Sequence, residues 1–260
     1  MRALIDADIV AFRCAATAEG LDEKIAVART NDLVEKILSD LSLSNYALYL
    51  TGKNNFRKVI YPEYKAHRTK PAPEHLKACR QYLIDVWQAR VVDGCEADDA
   101  LGVAQTTEVI LDNPEAPFSF RTIICSIDKD LLQIPGLHYN FVKSIQQEVT
   151  LFRGLKEFYT QMLVGDVSDN VPGVRGIGPK KAFAMLDGYE TEQEMFDAVR
   201  AAYNNDNNFL LTGKLLWIWR EENDIWNPSH LMDTTLLEEE IPFESTHSME
   251  EEITPSTVRI

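Results

Sequence analysis

The chain has 260 residues, of which 45% are hydrophobic and 26% charged, a balance that suits a folded globular protein with a sizeable core. Its opening residues, Met1-Arg2-Ala3-Leu4-Ile5-Asp6, are too short and too acidic for a secretory signal, and no apolar run reaches membrane-spanning length, so a cytoplasmic protein with no membrane partner is expected. The formal net charge of −15 is unevenly spread: residues 1–185 hold 22 Lys+Arg against 24 Asp+Glu, whereas residues 186–260 hold 4 against 17.

The first apolar run, residues 3–5, predicts a strand closed by Asp6-Ala7-Asp8, and residues 9–17 predict a helix. A helix over 31–41 and a strand over 46–50 follow. From 53 to 80 the chain turns basic: Lys53, Arg57, Lys58, Lys65, Arg68, Lys70, Lys77 and Arg80 stand against only Glu63 and Glu74, with Phe56, Tyr61 and Tyr64 interleaved. That mix suits a single strand or a duplex end, with bases stacking on rings and phosphates neutralised by Lys and Arg; a solvated basic surface is the alternative. A helix over 74–87, a strand over 90–92, a helix over 97–110 and a strand over 122–127 continue the alternation. Residues 138–143 and 148–152 resemble an edge hairpin, residues 155–164 a helix, and residues 209–220 an amphipathic stretch. Short apolar runs alternating with helical ones predict an α/β fold with a mostly parallel sheet flanked by helices. We expect an α/β domain over 1–154, a helical module over 155–232 and a loosely ordered acidic tail over 233–260, open to a protein partner.

Four acidic clusters punctuate this order: Asp6-Ala7-Asp8, Glu96-Ala97-Asp98-Asp99, Asp128-Lys129-Asp130 and Asp166-Val167-Ser168-Asp169. The first three lie just past predicted strand ends, where open parallel sheets bind their ligands, so they should share one rim. Carboxylates repel, and a site that gathers this many holds divalent cations or collapses. Two such cations about 4 Å apart hydrolyse phosphodiesters, one activating water and the other stabilising the leaving oxygen. Glu96 and Asp99 share a helical face, and Asp128 and Asp130 point the same way if the strand continues. Asp98, Asp99 and Asp130 are also residues that favour helix starts for purely structural reasons.

The last cluster runs into Pro172-Gly173-Val174-Arg175-Gly176-Ile177-Gly178-Pro179-Lys180-Lys181. Glycines there leave successive amides free to meet phosphate oxygens at a helix start, and Pro179 suits a first helical position; a plain helix–turn–helix packing unit is the alternative. Metals beside a phosphate grip suggest hydrolysis of nucleic acid. The cysteines (Cys14, Cys79, Cys95, Cys125) and histidines (His67, His75, His138, His230, His247) show no metal-ligand spacing.

Together Tyr64-Lys65-Ala66-His67-Arg68, EADDA at 96–100, SIDKD at 126–130 and GDVSDNVPGVRGIGPKKA at 165–182 resemble the flap endonuclease/5′–3′ exonuclease superfamily, above all its bacteriophage-encoded 5′–3′ exonucleases, over about residues 1–220. The resemblance implies a PIN-like α/β nuclease domain and a helix–hairpin–helix module that grips duplex DNA and holds a monovalent ion, K+. It implies two Mg2+ or Mn2+ ions on Asp6, Glu96, Asp98, Asp99, Asp128, Asp130, Asp166 and Asp169. Lys65 and Arg68 would steady the scissile phosphate beside Asp6, Glu96 and Asp128, and Tyr64 would stack on an unpaired terminal base. Arg57, Lys58, Gly173, Arg175, Gly176, Gly178, Lys180 and Lys181 complete the expected DNA contacts.

Where many members carry an acid after the second strand, this chain reads Leu50-Thr51-Gly52-Lys53. Asp8 is expected either to replace that acid, on a strand persisting past Asp6, or to serve as N-cap of a helix starting at Ile9. The expected activity is release of 5′-phosphorylated products from DNA 5′ ends, nicks and flaps or from RNA primers in RNA–DNA hybrids, in phage-type replication or recombination. The competing readings are a PIN-type single-strand ribonuclease and a catalytically weak DNA-binding replication factor.

Overall fold

Alternate residues of the first strand are buried on opposite faces, which fixes where it lies. In β1 (Arg2–Asp6), Ala3 and Ile5 join one apolar cluster and Leu4 another, all three fully buried. The computed structural model describes residues 1–110 and 121–232, without the side chains of 108–110; the tail expected at 233–260 lies outside the described residues. Among those residues, β1 is central in a sheet ordered β3-β2-β1-β4-β5-β6, with β2 (Tyr46–Thr51), β3 (Arg90–Val92), β4 (Thr122–Cys125), β5 (Gly136–Asn140) and β6 (Ile145–Val149). Every pairing is parallel except β5 with β6, the predicted edge hairpin. Leu4 pairs with Ala47 on one side and Ile124 on the other, so three apolar runs distant in sequence form the middle of the sheet.

One face is covered by α1 (Ala7–Thr17), α2 (Glu23–Leu41) and, after the short α3 (Phe56–Ile60), α4 (Leu76–Asp85), through Val10, Ala11, Cys14, Val34, Ile37, Cys79 and Leu83. The opposite face carries α5 (Ala97–Ile110) through Ala97 and Leu101, together with Ile218 from far down the chain. Helix α2 starts eight residues before the predicted position, because the Asp22 side chain caps it by accepting from Lys24 N at 2.8 Å.

Beyond the sheet come α6 (Leu151–Val164), the two-residue strands β7 (Gly165–Asp166) and β8 (Val171–Pro172), then α7 (Pro179–Leu186), α8 (Glu192–Ala202) and α9 (Asp206–Leu216). Thr191 and Glu194 form a reciprocal capping box at the start of α8. The boundary expected at 154/155 is not a break, since residues Met1–Asn227 form one compact unit. Helix α6 explains why: the Phe158 ring lies 4.9 Å from that of Trp217, and Gly154 sits so close to the Gln133 carbonyl that a Cβ would come within 2.4 Å. All four cysteines are free and buried. Among the described residues no helix is long and apolar enough to cross a membrane.

Candidate active site

The strand order turns back between β1 and β4: the chain first winds outward through β2 and β3, then returns to the other side of β1. At such a switch point the carboxyl ends of the strands open a crevice, and the first and third acidic clusters sit there. Asp6 ends β1 and caps α1, accepting from Ile9 N at 3.0 Å. Ser126, just after β4, donates from Oγ to Asp6 Oδ2 at 2.7 Å and accepts from Asp128 N at 3.0 Å. Ser126 was not among the predicted site residues; its signal was its place between the strand and Asp128.

Asp6, Asp8, Glu96, Asp98 and Asp128 line one cavity of about 800 Å³, shared with Lys53, Lys58, Lys65 and Arg68. Burial is the main force on Asp6, which is 1% exposed, and with the charges of Asp8 and Asp128 it outweighs the two hydrogen bonds and raises the carboxyl from 3.8 to about 7. Burial, then repulsion from Asp6 and Asp128, likewise pushes Asp98 well above the usual carboxylate range. Among the described residues no lysine or arginine lies within ion-pair distance of Asp6, Asp98 or Asp128.

Asp130, Asp166 and Asp128 line a second cavity of about 540 Å³ with Gln161 and Ser168. Burial first, then Asp128 and Asp166, raise Asp130 to about 7. Asp128 and Asp130 do not share a strand face, because β4 stops at Cys125 and Asp130 begins a 3-10 turn over Asp130–Gln133. Asp166 accepts from Ser168 N at 2.6 Å and Asp169 N at 3.3 Å, which folds the fourth cluster into a tight loop.

Residues 61–70 form a basic strap over this rim. Lys65 adopts left-handed backbone (φ 58°), donates its amide to the Asp169 carbonyl at 2.9 Å, and places Nζ against Glu96 and 3.3 Å from Asp169 Oδ2. Arg68 pairs with Asp169 Oδ1 at 2.5 Å and donates from Nε to the Ser168 carbonyl at 3.0 Å. Lys58, Arg175, Lys180 and Lys181 are exposed.

Several predicted roles change. Tyr64 is buried, its hydroxyl 2.7 Å from Asp169 Oδ2 and 2.9 Å from Glu96 Oε2, so its ring presents no face to a base. Arg57 and Asp99 are withdrawn from solvent in a bidentate pair with N–O distances of 2.6 and 2.8 Å, which frees neither for a phosphate or an ion. Asp8 is neither an extension of β1 nor a cap, since the helix has already begun at Ala7; it accepts from Thr51 N at 2.8 Å and is paired with Arg80. Gly173 abuts the backbone of Val164 and Gly165, a packing reason for glycine, whereas Gly176 (φ 81°) and Gly178 have open space around them.

The donor set at the two cavities is carboxylate oxygen throughout, which hard divalent cations take, and its charge lacks a partner at Asp6, Asp98 and Asp128. As the side chains lie, no three His, Cys, Asp or Glu among the described residues make a ready cage, a geometry compatible with an ion that keeps several of its waters.

The family description "5′-3′ exonuclease, N-terminal resolvase-like domain" matches residues 2–162. The chain belongs to the 5′–3′ exonuclease family. This family member is 29% identical over 197 residues to the flap endonuclease Xni of Shewanella sp. (strain W3-18-1), covering 70% of each chain. It is 33% identical over 147 residues to the 5′-3′ exonuclease of Aquifex aeolicus, covering 51% of this chain and 48% of that one. Against DNA polymerase I of Caldicellulosiruptor bescii the identity is 31% over 181 residues, and the match spans only 20% of the polymerase. The fold is shared with bacteriophage T5 5′-exonuclease carrying zinc, at a TM-score of 0.59 and 16% identity over 83% of this chain and 86% of that one. A T5 flap endonuclease in a pseudo-enzyme–product complex with DNA and metal ions gives a TM-score of 0.58 at 16% identity, over 83% and 85%.

Proposed function

We propose that this 5′–3′ exonuclease-family chain is a metal-dependent 5′ nuclease that hydrolyses phosphodiester bonds at DNA 5′ ends, nicks and flaps, RNA primers in RNA–DNA hybrids included. One observation carries the reading: buried Asp6 and half-buried Asp98 and Asp128, none with a cationic partner, share a cavity with Lys58, Lys65 and Arg68. Asp6, Glu96, Asp98 and Asp128 would hold one Mg2+ or Mn2+, and Asp128, Asp130, Asp166 and Asp169 the other. The ions would supply an activated water and charge for the leaving oxygen. Lys65 and Arg68 exchange their carboxylate partners for oxygens of the scissile phosphate, Arg68 as a two-pronged donor. The buried walls of the crevice keep those pairings strong by limiting water.

Exposed Arg175, Lys180 and Lys181 follow the backbone of the duplex beside the start of α7, whose first amides have no side-chain cap at Gly178. A helix–hairpin–helix grip with a K+ ion, a place in phage-type DNA replication, and a protein partner for the acidic tail belong to the same reading. End-labelled blunt, nicked, 5′-flap and RNA-primed duplexes test it: Mg2+ should release short 5′ products and EDTA should stop release. Cleavage that persists in EDTA overturns it.

A further inference from the structure

The Arg57 side chain donates four hydrogen bonds, and nothing in the proposed chemistry uses it. Its side chain is 3% exposed, yet Nε donates to the Leu215 carbonyl at 2.8 Å, Nη2 to the Trp217 carbonyl at 2.7 Å, and both Nη atoms to Asp99. Asp99, fully buried, is equally occupied: Oδ2 also accepts from Glu96 N at 2.9 Å and Oδ1 from Trp219 N at 3.2 Å. The bond to Glu96 N is the returning half of a capping box, holding the backbone of the residue that opens α5. Arg57 Nη1 stands 3.9 Å from Glu96 Oε2 as well, so the pair fixes both the main chain and one side of the Glu96 carboxylate.

The segment that closes this arrangement comes from the far end of the compact unit. Trp219 stacks on Phe56 at 5.1 Å, its carbonyl lies where a Cβ on Gly102 would come within 2.3 Å, and Thr106 Oγ1 donates to the Arg220 carbonyl. Residues 215–220 therefore lie along α5 and stop up the protein side of the Glu96 turn. They fall outside the 2–162 span that the family description covers.

We infer that Arg57 and Asp99 are positioning residues that aim Glu96 at a divalent cation, and that residues 215–219 complete them. The rim is then assembled from both ends of the unit, and metal affinity depends on a segment that touches neither ion nor DNA. The inference rests on the metal reading above, and the controls separate the two. Groups that orient a metal-ligating side chain commonly change metal affinity about 10–100-fold when altered. Lysine at position 57 keeps the charge but cannot fork to two oxygens and two carbonyls.

Calorimetric titration of Mn2+ into the full chain, well below the melting temperature, should show Arg57→Lys binding at least about tenfold more weakly than the parent. Its cleavage should recover at high Mg2+, a shift in the metal requirement rather than in turnover. Hydrogen exchange over residues 94–99 should quicken in the same variant. Thr106→Val leaves the pair intact and loosens only the segment, and it should weaken Mn2+ about two- to tenfold, the range for one lost hydrogen bond. It carries the test if Arg57→Lys does not fold. A folded variant with lower melting temperature but parental Mn2+ affinity makes the pair merely structural and overturns the inference. A parent that takes up no Mn2+ overturns the metal reading itself.

Discussion

Replacing Asp6 with Asn should stabilise the metal-free protein while destroying its activity. Asp6 is 1% exposed, and burial above all holds its carboxyl at about 7 instead of 3.8. Because the folded value is raised, the group favours folding below about pH 4, loses that contribution as pH climbs, and is a fixed liability above pH 7. The gap is worth about 4 kcal/mol, and coupling to the neighbouring carboxyl groups leaves about 2–4 kcal/mol to Asp6 alone. Asparagine keeps the oxygen that accepts from Ile9 N and can donate to Ser126 Oγ, so the cap survives. In EDTA at pH 8, Asp6→Asn should melt roughly 5–15 °C above the parent, a difference that shrinks towards zero as the pH is lowered to 4. Adding Mg2+ at pH 8 should raise the parent's melting temperature more than the variant's, since the variant lacks the buried Asp6 charge for the ion to offset. Thermal melts across pH 4–8, with and without Mg2+, check this. A variant that melts below the parent in EDTA at pH 8 refutes the reasoning, because Asp6 would then be a net stabiliser.

Asp128→Asn should cut turnover by at least ~10²-fold, the scale of losing one strong electrostatic stabiliser, with DNA affinity in Ca2+ almost unchanged; single-turnover rates and filter binding measure the two separately. If Lys58, Lys65, Arg68, Arg175, Lys180 and Lys181 each meet a phosphate, log affinity should fall with log salt at a slope near ~−5, and Lys180→Ala with Lys181→Ala should flatten it by about two. An unchanged slope assigns those lysines to solvent. Gly52→Asp should not restore the acid other members carry after the second strand: a Cβ there would lie 2.2 Å from Asp93 Oδ1 and 2.6 Å from the Val92 carbonyl. The variant should lose stability in urea denaturation without gaining Mn2+ affinity, and tighter Mn2+ binding would contradict it.

Strand ends and acids are legible because the first, third and fourth strand runs are each followed within a few residues by a carboxylate, so the sequence alone assigns Asp6, Glu96 and Asp128 to one rim. The order of strands was not, since it depends on Leu4 meeting both Ala47 and Ile124 across long separations. Arg57 and Asp99 were misread for a related reason. A charge in a basic or acidic run looks the same whether it faces solvent or is buried, and only the return of residues 215–219 decides it. Neither reading of Asp8, strand extension or N-cap, matches the fold, because the side chain of Asp6 caps the helix two residues earlier than the pattern of apolar residues indicates. Tyr64 sits in a stretch whose chemistry was legible, but the direction of one ring depends on the hydroxyl partners Glu96 and Asp169, 32 and 105 residues away.

The glycines at the two ends of the 165–173 loop set limits on how this loop can vary. Gly165 has φ 74° and its Cβ would lie 2.3 Å from Gly173 N; a Cβ on Gly173 would lie 2.2 Å from the Val164 carbonyl carbon. Between them, Gly165 pairs with Pro172 and Asp166 with Val171. Surface loops generally absorb insertions and side-chain changes, but this one is closed by main chain against main chain. Neither its length nor its ends can vary without dragging Asp166 and Asp169 apart. Its tolerance for substitution is confined to its crest, where the Val167 side chain is 87% exposed.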